Sequence, residues 1–110
     1  LVGALHDADE AMVIVDCLTL WVSNLMWRDR TDVEIHEAAE RTADVARRRG
    51  APTVVVSNEV GLGIHPETEL GRRYRDTLGR VNQVWARAAD TSLLLVAGRA
   101  LPLVDPDVLL

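Results

Sequence analysis

Two short stretches hold the residue types that could do chemistry. The first is Asp16, which closes the apolar run Ala11-Met12-Val13-Ile14-Val15. A carboxylate at the end of a buried strand can reach a divalent cation beside a nucleotide's phosphates, or it can cap the helix that follows. The second is Ser57-Asn58-Glu59-Val60-Gly61-Leu62-Gly63-Ile64-His65-Pro66, directly after another apolar run, Thr53-Val54-Val55-Val56. Open α/β sheets place ligands at the carboxyl ends of their strands, so both stretches fall where a site is expected. Glu59 can accept hydrogen bonds from a base or ribose or hold a metal; the competing reading is a turn or capping role. Gly61 and Gly63 suit a positive φ or a close backbone approach.

A basic cluster, Arg72-Arg73-Tyr74-Arg75-Asp76, follows the loop. Arg72 and Arg75 lie one turn apart on one helical face, which makes them the better phosphate-binding pair. Arg73 is expected to pair with Glu69 on the solvated face, and Asp76 to hold Arg72 or Arg80. Asn82 either faces the same cleft or caps a restarted helix. Thr19 is either a hydroxyl in that cleft or bonded back into its own helix.

The rest of the composition excludes more than it offers. All twelve basic residues are arginine, so no lysine can serve as a phosphate-loop ammonium, a Schiff-base former or a base. His6, His36 and His65 lack metal-ligand spacing, and Cys17 alone completes no zinc set. No Gly-x-Ser-x-Gly pattern is present. A net charge of −5 argues against general nucleic-acid binding, which needs a broad basic face. No apolar run approaches the roughly 18 residues of a membrane span. A single cysteine and the lack of a leader pattern point to a cytoplasmic location. The chain opens on Leu1 and not on methionine, which suggests a fragment or a processed product.

These residues need a scaffold. Ala11–Val15, Thr53–Val56 and Ser92–Ala97 are continuous apolar runs, the pattern of parallel strands covered on both faces. Between them, Leu18–Trp27 and Asp32–Arg49 read as helices. The second has Thr31 or Asp32 as cap, early glutamates, late arginines and Gly50 as stop. Pro66–Ala89 reads as helix bent or interrupted near Gly79, and residues 101–106 as an edge strand and tail. Trp21, Trp27 and Trp85 fall on helices as packing or subunit-contact residues. The order β–α–α–β–loop–α–α–β predicts one α/β domain over residues 1–110 with a mostly parallel sheet.

Together these motifs resemble a family. Val13-Ile14-Val15-Asp16-Cys17-Leu18-Thr19-Leu20-Trp21, Ser57-Asn58-Glu59-Val60-Gly61-Leu62-Gly63-Ile64 with Pro66, Tyr74-Arg75-Asp76 and Gly79-Arg80-Val81-Asn82-Gln83 stand in the right order for the bifunctional adenosylcobinamide kinases / adenosylcobinamide-phosphate guanylyltransferases. The resemblance implies a RecA-like P-loop NTPase fold with flanking helices and a role in cobalamin biosynthesis. The implied reactions are phosphorylation of adenosylcobinamide and GMP transfer from GTP to the product. It also implies GTP, ATP and Mg²⁺ as cofactors and a homo-oligomer, a trimer in this family. It assigns Asp16, Glu59 and Arg75 to nucleotide binding, with Asp16 toward the metal. Asn58, Gly61, Gly63, Arg72 and Asn82 then line the substrate cleft.

The family's opening Gly-rich loop with its Lys-Ser or Lys-Thr has no counterpart here. Neither has the strand that carries it, nor the nucleotidyl-accepting histidine, whose motif His6, His36 and His65 do not occupy. The chain is therefore expected to be a C-terminal part of such an enzyme, inactive alone. The alternative is a non-catalytic, degenerate oligomerisation module of the same fold.

Overall fold

The computed structural model describes residues 1–110. A short helix, α1 (Val2–Asp7), precedes β1 (Val13–Asp16), α2 (Leu18–Trp27), α3 (Asp32–Arg48), β2 (Thr53–Val56), α4 (Glu69–Ala88), β3 (Ser92–Val96) and β4 (Arg99–Leu103). A 3-10 turn over Pro106–Leu109 ends the chain. The α/β class and the two helices between the first strands follow the sequence reading.

β1 and β2 pair in parallel with Val13 opposite Thr53 and Asp16 opposite Val56, so both strands end at the same edge. Alternation along them decides what is buried. Val15 is buried and Val13 and Val55 are half-buried on the inner face, where α2, α3 and α4 supply Leu18, Val22, Ile35, Ala39, Ala43, Leu78, Val81, Val84 and Trp85. On the outer face Ile14 is 62% exposed, with Val54 and Val56 beside it also exposed. The apolar runs lead to the expectation of cover on both faces; within this chain only one face has it.

α3 begins on a capping box. The Thr31 hydroxyl accepts from the Glu34 N–H at 3.2 Å, and the Glu34 carboxylate accepts from the Thr31 N–H at 2.8 Å. Two of the helix's unpaired N-terminal donors are thereby satisfied. At the other end Arg49 donates to the carbonyls of Asp9 and Ala11 and to the Thr53 hydroxyl, tying the entry of β1 to that of β2.

Two expectations are corrected. α4 runs unbroken through Gly79, because the amphipathic pattern from Leu78 to Trp85 keeps its core face in phase. β3 does not join the parallel sheet; it pairs with β4 as a separate antiparallel hairpin. Ala97 and Gly98, both with positive φ, make the two-residue turn such hairpins favour. With α4 unbroken, the segment after the loop holds one helix and not two.

Candidate functional site at the carboxyl edge of β1 and β2

Asp16 stands exposed at the end of β1, with no hydrogen bond or ion pair to its carboxylate. The peptide joining it to Cys17 is cis. α2 starts immediately afterwards with Cys17 as N-cap, and no side chain satisfies its first N–H groups. Asp16 therefore does not cap α2, which leaves its carboxylate free for another partner. No three His, Cys, Asp or Glu side chains converge anywhere on the chain. One free carboxylate suits Mg²⁺, which keeps most of its waters and takes its remaining ligands from phosphate oxygens.

Opposite α2 lies the start of the loop after β2, held by a polar network from three elements. The Thr19 hydroxyl donates to Asn58 Oδ1 at 2.9 Å. Asn82 on α4 donates from Nδ2 to the Asn58 carbonyl at 2.9 Å, while its Oδ1 accepts from the Ser57 hydroxyl at 2.5 Å. Behind Thr19, the Tyr74 hydroxyl donates to the Thr19 carbonyl at 3.1 Å. Burial, with a smaller contribution from the nearby Cys17, raises the Tyr74 phenol above its ordinary value, so it remains a donor. Asn58, Thr19 and Asn82 thus meet in one hydrogen-bonded network, and the Thr19 hydroxyl reaches across to the loop instead of bonding back into its own helix. Tyr74 was not legible as a member: it is a lone tyrosine among arginines, with no spacing to mark it.

The other candidates are spread out. Glu59 turns back on its own loop, its Oε1 accepting from the Gly61 N–H at 2.6 Å. This is the turn role; a Cβ added at Gly61 would sit 2.8 Å from that oxygen, so a larger residue there would move the Glu59 side chain. Neither Gly61 nor Gly63 has a positive φ, and a Cβ at Gly63 would meet nothing.

The arginines are already engaged. Arg72 donates to the carbonyls of Pro66 and Glu67, closing the loop onto α4. Arg75 donates two bonds to Oδ1 of its neighbour Asp76, at 3.1 and 3.0 Å, so Asp76 holds Arg75 and neither Arg72 nor Arg80. Arg73 pairs with Asp32, not Glu69: Nε lies 2.7 Å from Asp32 Oδ1, and a second nitrogen reaches the Arg30 carbonyl at 2.9 Å. The i,i+4 reading misses this because Asp32, remote in sequence, comes to α4 through the packing of α3. His36 pairs with Glu40, and His65 lies exposed on the loop. Trp85 is buried and Trp21 half-buried, whereas Trp27 is 89% exposed.

The fold and the site define an α/β protein with a polar network and a free carboxylate at the carboxyl ends of two parallel strands, the usual ligand position of that class. Residues 1–103 match the family model for cobinamide kinase / cobinamide phosphate guanyltransferase, and the chain belongs to that family. It is 39% identical to the bifunctional adenosylcobalamin biosynthesis protein CobU of Salmonella typhimurium, over 83% of this chain and 57% of that protein. Against CobU of Escherichia coli the identity is 37%, over 79% and 55%. Against CobP of Pseudomonas aeruginosa it is 39%, over 83% and 52%. The chain spans about half the length of the curated relatives it matches.

Proposed function

We propose that this chain forms one wall of a site that phosphorylates adenosylcobinamide with a nucleoside triphosphate and then transfers GMP from GTP to the product, in cobalamin biosynthesis. The observation that carries the reading is the coincidence of family and geometry. The chain aligns with bifunctional relatives, and its free carboxylate and fixed loop share the carboxyl edge of one parallel sheet. Asp16 takes the Mg²⁺–nucleotide role, and Asn58, Asn82 and Thr19 shape the cleft floor. Mg²⁺ would supply neutralisation of charge on the transferring phosphoryl group.

The opposite wall is a Gly-rich phosphate loop on a further strand, which this lysine-free chain does not supply. The bare outer face of Ile14, Val54 and Val56 supports that reading, since a helix accompanying a strand added at the sheet's edge would bury it. The nucleotidyl-accepting histidine belongs with that segment, so the chain alone performs neither reaction. Incubation with GTP, ATP, Mg²⁺ and adenosylcobinamide is expected to yield no phosphorylated or guanylylated corrinoid. Any turnover would refute the claim. Joining the chain to a phosphate-loop segment from a relative is expected to restore turnover; a joined, folded protein that stays inactive favours the degenerate module.

A further inference from the structure

We infer that the Asn58 carboxamide is a fixed hydrogen-bond donor for a phosphate oxygen, and that Thr19 and Asn82 are the positioning residues that aim it. The inference deepens the functional reading above and rests on it for the class of ligand. Asn58 is exposed at the carboxyl edge of the sheet, yet two of its acceptors are occupied. Its Oδ1 is taken by Thr19 and its carbonyl by Asn82. The Nδ2 amide donates to nothing in the protein. An asparagine held at both acceptors cannot rotate its amide without breaking the Thr19 bond, so its free donor has a set direction.

The two residues that hold it are themselves braced. Asn82 donates to the Asn58 carbonyl and accepts from the Ser57 hydroxyl, which fixes it against the loop. Thr19 sits in the first turn of α2, its carbonyl gripped by Tyr74 from α4. The Asn58 amide signal separates an effect on its aim from any direct contact these two make. The surroundings favour an anion. α2 begins at this edge with its first N–H groups uncapped by any side chain, and the helix N-terminus adds partial positive charge. A donor amide beside an uncapped helix end is a combination that a phosphate oxygen satisfies.

The test needs no turnover. The nitrogen-15-labelled chain is titrated with inorganic triphosphate at constant ionic strength while the Asn58 side-chain NH₂ signals are followed by NMR. Those signals are expected to move saturably in the wild-type chain. Thr19→Val should raise the apparent Kd about fivefold, the worth of one lost hydrogen bond, and Thr19→Ser should return it to the wild-type value. Should Thr19→Val unfold, Asn82→Ala makes the comparison, because it removes the donor to Asn58 without adding charge beside the anion. Asn58 signals that stay still, or an affinity unchanged in Thr19→Val or Asn82→Ala, would overturn the inference. Absence of corrinoid chemistry in the joined protein would instead remove the functional reading and leave this binding result intact.

Discussion

Arg73 and Arg75 lie two residues apart and do different things. Arg73 bridges α4 to the start of α3 through Asp32 and the Arg30 carbonyl, a fork that a lysine could not reproduce. Arg75 binds only its neighbour Asp76. Arg73→Ala is thus expected to lower unfolding free energy by about 1 kcal/mol, a partly exposed charged pair plus one carbonyl bond. Arg75→Ala should change it by less than about half of that. Urea denaturation of the two variants decides the matter; equal losses would contradict the assignment. The sequence makes Arg75 and Asn82 visible as candidates, since their types and helical phase are local properties. It does not reveal Asp32 as the partner of Arg73 or Tyr74 as the brace of Thr19. Those pairings span 41 and 55 positions and depend on how α3 and α2 settle against α4.

Among the elements, α3 was the most legible, because its cap and charge order are written within a few residues of its ends. The expected Gly50 stop is not what ends it, since Arg49 is already extended and Gly50 has no positive φ. Its capping box also carries a pH dependence. The hydrogen bond from the Thr31 backbone, with smaller help from the Thr31 hydroxyl and Arg30, holds the Glu34 carboxyl below its ordinary value. A carboxyl depressed in the folded state stabilises above its unfolded pKa and loses that stabilisation as pH falls through the folded one. Glu34→Gln should therefore melt below the wild-type chain at neutral pH, with the gap closing on acidification below the usual carboxylate range. Thr31→Ala should cost about 1 kcal/mol at neutral pH. A gap that stayed constant on acidification would show that the box carries no charge-dependent part. β3 was the least legible element. Its apolar run reads as a central parallel strand, and only the chain's own pairing with β4 shows it as half of a hairpin.

At the scale of the molecule, the helices bury one face of the β1–β2 pair and leave the other open. The β3–β4 hairpin adds a second exposed apolar surface, with Leu93, Leu95, Val96, Leu101 and Leu103 all more than half exposed. A two-stranded unit with apolar faces and free edges is marginal in water and prone to pair with other chains. The isolated chain is accordingly expected to associate as its concentration rises and to melt over a broad transition, measured by light scattering and calorimetry. A sharp two-state transition of a monomer would contradict that expectation. The central claim, that the carboxyl edge of β1 and β2 is the nucleotide wall of a cobinamide kinase and guanylyltransferase, rests most directly on Asp16. In the chain joined to a phosphate-loop segment, Asp16→Asn should cut Mg²⁺-dependent turnover about a hundredfold, near 3 kcal/mol of transition-state stabilisation, with the melting temperature unchanged. Turnover with normal magnitude and Mg²⁺ dependence would contradict the account.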